Sequence, residues 1–167
     1  MNSRDRSLAD IRLVAFDIDG VFTDGRLYIS NDGIESKAFH THDGFGIRQL
    51  IAAGLQVAVI SGRESVAVEK RMSELGVHHV IQGNSDKVAA FDTLAAELGI
   101  SEADAVYVGD DIPDLPLLNR VGFSVAVSNA HEEVRAATDY TTDKAGGSGA
   151  VREVCDLILS ARNKAGA

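Results

Sequence analysis

Residues 11–20 have the sequence Ile11-Arg12-Leu13-Val14-Ala15-Phe16-Asp17-Ile18-Asp19-Gly20, in which a mostly apolar run ends in two aspartates and a glycine. A run of this kind, without polar alternation, is typical of a strand that is buried on both faces of a parallel sheet. Ligands of such sheets bind beyond the carboxyl ends of the strands, where Asp17 and Asp19 follow. The stretch therefore predicts an α/β fold and places a candidate site at the end of its first strand.

Four more apolar runs follow, and segments with helical spacing of apolar residues separate most of them. The predicted strands are 11–16, 57–60, 80–81, 105–108 and 123–127. The predicted helices are 44–53, 64–75, 86–98, 113–119 and 148–162. Strands and helices that alternate in this way are typical of a doubly wound, Rossmann-like α/β domain with a parallel sheet.

One segment interrupts the alternation directly after the first strand. Residues 26–39 carry two short apolar stretches around Asp32-Gly33, a pair that favours the tight turn of a β-hairpin. We therefore expect a hairpin insertion at about residues 22–39, within one domain that spans residues 11–162. Residues 1–10 are predicted to form a flexible N-terminal segment, and residues 163–167 are expected to fray.

The composition of the 167 residues fits one globular domain and narrows the choice of partners. Hydrophobic residues make up 45%, which is enough for a core, and the net charge of −9 comes from 25 acidic and 16 basic residues. A surface of this charge disfavours nucleic acid and anionic lipid, so neither is an expected partner. No apolar run reaches the length of a membrane span, and the single cysteine, Cys155, excludes a disulfide within the chain. The expected compartment is the cytoplasm.

Carboxylates also follow a second strand, the one predicted at residues 105–108. Asp110, Asp111 and Asp114 come after it, as two aspartates come after the first strand. Carboxylates grouped at one edge raise each other's pKa, and an oxygen-rich cluster that binds a cation favours Mg²⁺. We expect Asp110 to be the ligand because it is nearest to the strand end. Asp111 and Asp114 are candidates for helix caps, and Asp114 could instead orient metal-bound water or hold a cationic side chain.

Two further strand ends carry groups suited to an anion. Lys87 falls in the first turn of the predicted helix 86–98, where its charge opposes the helix dipole. We interpret it as a cation directed at the carboxylates and at a phosphate, and the alternative is a solvated surface lysine. Ser61, after the second strand, offers a hydroxyl and free backbone N–H groups, although serine is also a common helix cap. Arg63 beside it suits a carboxylate or phosphate of a substrate.

Taken in order, these motifs resemble those of the haloacid dehalogenase superfamily of phosphotransferases. The matching positions are Asp17-x-Asp19, Ser61, Lys87 and Gly109-Asp110-Asp111-x-x-Asp114. Other segments resemble the capless 3-deoxy-D-manno-octulosonate 8-phosphate phosphatases within that superfamily. They are Phe16-Asp17-Ile18-Asp19-Gly20-Val21-Phe22-Thr23-Asp24-Gly25, Lys37-Ala38-Phe39, Asp43-Gly44-Phe45-Gly46-Ile47-Arg48 and Gly146-Gly147-Ser148-Gly149-Ala150-Val151-Arg152-Glu153. The sequence departs from that pattern at Ser148, where arginine is expected, and at Glu64, where a basic residue is common.

The resemblance implies a HAD-like Rossmann fold without a cap domain, a Mg²⁺ cofactor and a homotetramer built around the hairpin. It also implies a sugar acid phosphate as the substrate, in lipopolysaccharide biosynthesis. A neighbouring subunit's glycine segment, residues 146–149, would help to close each site. Within one chain, the resemblance places Arg63, Asp43 and Gly44 at the substrate.

The same resemblance assigns the steps of phosphoryl transfer. Asp17 attacks phosphorus and forms an aspartyl-phosphate. Asp19 protonates the leaving sugar oxygen and then deprotonates the attacking water. Mg²⁺ is held by Asp17, the backbone carbonyl of Asp19, and Asp110, while Ser61 and Lys87 hold the phosphate oxygens.

Two other protein classes share some of these features. A signalling receiver domain also combines Mg²⁺, a lysine and acidic residues after its first strand, but its phosphoacceptor aspartate follows the third strand, where this chain has Gln82-Gly83. A catalytically idle interaction module is the other alternative, and the pair Asp17 and Asp19 argues against it. Among substrates, the alternative is 2-keto-3-deoxy-nonulosonate 9-phosphate, a nine-carbon relative, although Arg63 favours the eight-carbon acid.

Overall fold

The computed structural model of the protein describes residues 8–166, in which eight strands form two separate sheets. The strands are β1 (Leu13–Phe16), β2 (Tyr28–Ile29), β3 (Glu35–Ser36), β4 (Gln56–Ile60), β5 (His79–Ile81), β6 (Ala105–Gly109), β7 (Phe123–Ala126) and β8 (Tyr140–Thr141). Six of them form a parallel sheet in the order β5-β4-β1-β6-β7-β8, and β2 and β3 form an antiparallel hairpin. The predicted doubly wound fold, with a hairpin inserted after its first strand, is confirmed.

β1 lies at the centre of the large sheet, between β4 and β6. Phe16 pairs with Val59 on one side and with Val108 on the other. Successive side chains of a strand point to opposite faces, and all four residues of β1 are 0% exposed, so both faces of the sheet are covered here. The residues that directly follow β1, β4 and β6 therefore meet at one edge of the sheet.

Six α-helices accompany the sheet within residues 8–166. They are α1 (Thr41–Ala52), α2 (Val66–Leu75), α3 (Lys87–Leu98), α4 (Leu115–Leu118), α5 (Glu132–Ala137) and α6 (Ala150–Ala165). Gly76 and Gly99 end α2 and α3 with left-handed φ angles of +80° and +60°, which glycine adopts without strain. The helices α1 and α6 pack against each other and bury Ile47, Leu50 and Cys155. None of the helices described is long and apolar enough to cross a membrane.

The structure contains two elements that the sequence pattern did not predict. The strand β8 has two residues and pairs with β7, and α5, six residues long, precedes it. A strand of two residues has no periodicity to detect, and a helix of six residues has scarcely more than one turn and a half. Both elements are defined by packing on the sheet rather than by local sequence.

The structured part of the chain extends further than expected at both ends. Leu8–Asp10 forms a single 3₁₀ turn that packs against α6, and α6 continues to Ala165. Nη1 of Arg162 donates to the carbonyl oxygen of Ile11 at 3.0 Å and so ties the two ends together. Residues 8–10 and 163–165 thus belong to regular elements. The remainder of the expected flexible segment, residues 1–7, and Ala167 lie outside the described residues.

The hairpin is short, and its apolar side chains face solvent. The N–H of Gly33 donates to the carbonyl of Ser30 at 2.9 Å, and Gly33 has a φ of +77°, which places the tight turn where Asp32-Gly33 predicted it. Large apolar side chains that remain exposed on the hairpin are Leu27, Tyr28, Ile29 and Ile34. Phe39, at the end of the hairpin, instead packs against the domain core.

Candidate active site

A cavity of about 300 Å³ lies at the edge of the sheet beyond β1, β4 and β6. Its lining consists of Asp17, Asp19, Gly25, Ser61, Gly62, Arg63, Lys87, Asp110, Asp111, Pro113 and Asp114. It thus brings together every site residue expected from the sequence except Asp43 and Gly44. The parallel register of the three central strands produces this convergence, since it brings their carboxyl ends to the same level.

Asp17 lies at the end of β1 with both carboxylate oxygens engaged. Oδ1 accepts a hydrogen bond from the N–H of Ile18 at 2.7 Å, and Oδ2 lies 3.0 Å from Nζ of Lys87. Burial raises the pKa of Asp17 to about 6, and the charge of Asp114 adds to this rise, while Lys87 opposes it. Lys87 is therefore the group that favours the ionised, nucleophilic form of Asp17.

Lys87 is directed into the site rather than into solvent. Asp86 caps α3 by accepting from the N–H of Ala89 at 3.0 Å, which sets Lys87 in the first turn with a side chain only 8% exposed. Burial alone would lower the pKa of Lys87, but Asp17 and Asp114 outweigh burial and raise it. The alternative of a solvated surface lysine is therefore wrong.

Asp114 is buried, and donors occupy both of its carboxylate oxygens. Oδ1 accepts from Nζ of Lys87 and from the hydroxyl of Tyr107, each at 2.7 Å. Oδ2 accepts from the backbone N–H groups of Asp110 at 3.0 Å and Asp111 at 3.3 Å. Of the roles that the sequence left open, Asp114 holds Lys87 and orders the loop after β6. Asp111 caps the 3₁₀ turn Ile112–Asp114, which precedes α4, and its Oδ1 accepts from the N–H of Ile112 at 2.8 Å.

Tyr107 is a site residue that the sequence did not reveal. It lies inside β6 and is fully buried, and its hydroxyl contacts both Asp114 and Lys87. Burial raises its pKa well above the ordinary value, so the hydroxyl remains a neutral donor. The available signal was a single hydroxyl-bearing side chain in an otherwise aliphatic strand.

The carboxylates of the site fit a divalent cation. Oxygens of Asp17, Asp110 and Asp114 lie within 4.8 Å of one another. Because Asp114 is saturated by donors, Asp17 and Asp110 are the two side chains that remain for a metal. Burial raises the pKa of Asp110 to about 8, with further rises from the neighbouring carboxylates, and this is the repulsion that a cation relieves. Gly20 completes the fit, since a Cβ there would collide with the Asp110 carboxylate.

Asp19 lies at the mouth of the cavity and faces two cations. Lys37 forms a hydrogen bond with its Oδ1, and Nε of Arg63 lies 3.6 Å from its Oδ2. These two cations occupy the side chain of Asp19, and the metal ligand that the family resemblance implies at this residue is its backbone carbonyl. Lys37 and Glu35, which contacts both cations, are further site residues that the sequence reasoning did not assign.

Ser61 and Arg63 follow β4, as expected. Ser61 is buried against the cavity, and its Oγ accepts from the N–H of Arg63 at 3.3 Å. The side chain of Arg63 is 48% exposed and reaches over the mouth to Glu35 and Asp19. A buried hydroxyl and a half-exposed guanidinium thus line the side of the cavity opposite the carboxylate cluster of the β6 loop.

Asp43 and Gly44 do not line the cavity, and their assignment to the substrate stays a prediction. Asp43 is buried, and its Oδ1 accepts from the N–H of Arg152 at 2.9 Å, in the first turn of α6. Burial raises the pKa of Asp43. Gly44 lies against Arg71 and Leu75 of α2, where a Cβ would collide. Both residues serve helix packing because α1 begins at Thr41 and turns its first residues toward α2 and α6.

The glycine segment 146–149 packs against the loop after β1 of its own chain. The N–H of Gly147 donates to the carbonyl of Val21 at 3.0 Å, and a Cβ on Gly146 would collide with the carbonyl of Gly20. The first glycines therefore pack beneath their own chain's loop after β1, close to the nucleophile, and the closure of a neighbouring subunit's site by this segment stays a prediction. Ser148 lies outside the cavity, beside His40 and His42.

Comparisons with known proteins agree with this geometry. The model of the haloacid dehalogenase-like hydrolase family matches residues 76–154. The 3-deoxy-D-manno-octulosonate 8-phosphate phosphatase KdsC of Salmonella typhi is 48% identical over 155 residues, which are 93% of this chain and 82% of the relative. These matches include the helix that carries Lys87 and the loop that carries Asp110.

Solved structures give the same result over most of the chain. The phosphatase of this name from Yersinia pestis superimposes with a TM-score of 0.94 at 45% identity, covering 98% of this chain and 88% of that one. The one from Moraxella catarrhalis, solved in complex with magnesium ion, phosphate ion and a KDO molecule, gives 0.92 at 45% identity, covering 94% and 90%. The chain therefore belongs to the family of 3-deoxy-D-manno-octulosonate 8-phosphate phosphatases, within the haloacid dehalogenase-like hydrolases.

Proposed function

We propose that this protein is a Mg²⁺-dependent phosphatase that hydrolyses 3-deoxy-D-manno-octulosonate 8-phosphate to the free sugar acid and phosphate. The observation that carries the proposal is the buried Asp17, placed between Lys87 and the Asp110 carboxylate in a cavity open to a phosphate-sized ligand. The Moraxella catarrhalis relative with magnesium, phosphate and KDO supports the same chemistry. The reaction would supply a sugar acid for lipopolysaccharide biosynthesis. The cytoplasm is the proposed compartment, since Cys155 is a buried free thiol.

The first step transfers the phosphoryl group to the protein. A carboxylate oxygen of Asp17 attacks phosphorus, and the bond from phosphorus to the sugar oxygen breaks. Asp19 donates a proton to that oxygen, so that the sugar leaves as an alcohol. Ser61 and Lys87 bind phosphate oxygens on which negative charge lies in the transition state.

The second step releases phosphate. Asp19, now ionised, takes a proton from a water molecule as the water oxygen attacks phosphorus, and the bond to Asp17 breaks. Mg²⁺, when bound by Asp17 and Asp110, neutralises phosphate charge that would otherwise repel the anionic nucleophile. Asp114 holds Lys87 in place by a hydrogen bond of 2.7 Å.

Arg63 is the proposed contact for the substrate carboxylate. Its planar guanidinium matches a carboxylate geometrically, and its exposure at the mouth leaves it accessible to a sugar acid whose phosphate lies at Asp17. The nine-carbon acid phosphate remains the alternative substrate. Both acids carry a carboxylate, so the distance between carboxylate and phosphate decides between them.

A panel of phosphate esters at fixed Mg²⁺ tests this function. We expect kcat/KM to be highest for 3-deoxy-D-manno-octulosonate 8-phosphate and lower for 2-keto-3-deoxy-nonulosonate 9-phosphate. Glucose 6-phosphate, which lacks a carboxylate, should be poorer by at least about tenfold, the range of one lost charge-assisted contact. Arg63→Ala should remove most of the difference between the two acids and glucose 6-phosphate. Equal kcat/KM for all three esters in the wild-type enzyme would overturn the assignment.

The exposed hairpin supports a second proposal, a homotetramer. A two-stranded ribbon that carries four exposed large apolar side chains is marginally stable alone, and its edges are unpaired. Packing the hairpins of four subunits together would bury these side chains. The glycine segment packs on its own chain, so the proposed assembly rests on the hairpin and not on that segment.

Light scattering at micromolar concentration should give a mass of about 70 kDa, four times the 17.7 kDa chain. Ile34→Asp places a charge on a hairpin side chain that is 65% exposed and should lower the mass toward that of one chain. Val66→Asp is the matched control, because Val66 is also 65% exposed but lies on α2, and it should keep the full mass. A wild-type monomer with full activity would contradict the tetramer.

A further inference from the structure

A closed ring of four charged side chains joins the hairpin to the mouth of the cavity. Nζ of Lys37 donates to Oδ1 of Asp19 and lies 2.9 Å from Oε1 of Glu35. Nη2 of Arg63 donates to Oε2 of Glu35, and Nε of Arg63 closes the ring 3.6 Å from Oδ2 of Asp19. The ring holds two positive and two negative charges, so each charge has an opposite charge on both sides.

The two cations of the ring differ in burial. The side chain of Lys37 is 2% exposed, whereas that of Arg63 is 48% exposed. Burial disfavours the charge of Lys37, but its hydrogen bonds to Asp19 and Glu35 outweigh burial and raise its pKa. Lys37 is therefore the buried cation of the ring, while Arg63 is the one that solvent and a ligand can reach.

We propose that Lys37 is a positioning residue that holds Asp19 where it protonates the leaving oxygen. The inference rests on the proposed phosphatase function. Lys37 transfers no proton itself: the proton moves from Asp19 to the sugar oxygen as the bond from phosphorus to oxygen breaks, and Lys37 keeps its own three. Its part is to fix one carboxylate oxygen, Oδ1, so that the rotation of the side chain is restricted and Oδ2, which lies 3.6 Å from Nε of the half-exposed Arg63, is the oxygen that carries the proton to the substrate.

The ring also gives the hairpin a part in the reaction. Glu35 is the first residue of β3, and Lys37 directly follows the end of that strand. The segment that carries these two charges is therefore continuous with the exposed apolar surface of the hairpin. Residues two apart in an extended segment point to the same side, so Lys37 reaches Asp19 while Glu35 reaches Arg63. Contacts that hold the hairpin in position therefore also hold the side chain of Asp19 in position.

Substituted phenyl phosphates separate positioning of Asp19 from general damage to the site. The nitrophenolate of p-nitrophenyl phosphate can leave without being protonated. The phenolate of phenyl phosphate is more basic, so its departure depends more strongly on a proton from Asp19. We expect Lys37→Met to lower kcat/KM for phenyl phosphate by about 100-fold and for p-nitrophenyl phosphate by less than about threefold, since general acid catalysis contributes 10²–10⁴-fold. These esters lack a carboxylate, so Arg63 has no such group to bind. The value of kcat/KM reports the steps up to departure of the phenol, so it does not depend on the later hydrolysis of the phosphoenzyme.

Three variants serve as references. Lys37→Arg keeps the positive charge and should recover part of the loss, and Glu35→Gln should give a smaller loss with the same dependence on the leaving group. Lys70→Met removes an exposed lysine from α2 and should leave all values unchanged. If Lys37→Met fails to fold, the Glu35→Gln series carries the test. An equal loss for every ester would overturn the positioning role, whereas a wild-type protein that hydrolyses none of them would overturn the phosphatase function itself.

Discussion

Replacing Asp17 by asparagine is expected to lower turnover below about 1% of wild type while leaving the fold intact. The amide has nearly the shape of the carboxylate but is a very poor nucleophile. Burial disfavours the charge of Asp17, as its raised pKa of about 6 shows, so removal of that charge should not destabilise the metal-free domain. Steady-state hydrolysis of the sugar phosphate and thermal unfolding measure the two parts of this prediction.

Asp32→Asn is the matched control for that variant. It makes the same chemical change at the exposed turn of the hairpin, outside the cavity, and should keep wild-type turnover. Turnover of Asp17→Asn well above 1%, with Asp32→Asn unchanged, would mean that another residue attacks phosphorus. The variant should also fail to accumulate acid-stable protein-bound phosphate under conditions where the wild type is trapped during turnover.

Removal of Mg²⁺ by exhaustive chelation should abolish hydrolysis, and added Mg²⁺ should restore it. Asp110→Ala should raise the Mg²⁺ concentration needed for half-maximal activity by about 100-fold or more, because it removes one of the two available carboxylates. Asp32→Ala, which changes only the hairpin turn, should leave that concentration as it is. Full activity after chelation would contradict a metal-dependent reaction.

Thermal unfolding at several pH values checks the same site without turnover. The pKa of Asp110 is raised from 3.8 to about 8 and that of Asp17 to about 6, so the metal-free folded state retains protons that the unfolded chain releases. The stability contributed by these protonated groups is present at low pH and is lost as pH rises to about 8. Because Mg²⁺ binds the ionised carboxylates, the increase in Tm that it gives should grow over the same range. Asp110→Asn should flatten both trends.

The sequence was sufficient to predict the position of the groups that directly follow a strand. Asp17, Ser61 and Asp110 each directly follow an apolar run, and parallel pairing then leaves little freedom in where they meet. Lys87 was predictable for a similar reason, since a helix cap one residue earlier fixes its place in the first turn. These residues share a cavity because local sequence defines the element and topology defines the edge.

Other parts of the site depend on contacts that no local pattern encodes. Tyr107 belongs to the site because the side chain of Asp114 contacts its hydroxyl from the loop after β6. Lys37 belongs to the site because the end of the hairpin lies at the mouth of the cavity, next to Asp19. Asp43 is another example. It is the first residue of a segment that carries the family resemblance, but the direction of its side chain is set by α6, which only the tertiary structure brings near.

The contact between Asp43 and Arg152 has a consequence for biosynthesis. The two residues are 109 positions apart, and a ribosome adds roughly 5–20 residues per second. The apolar side of α1, with Ile47 and Leu50, thus emerges roughly 5 to 20 seconds before the helix that covers it is translated. During that interval the apolar side of α1 is exposed on the nascent chain, and the speed of translation sets how long chaperones can bind it.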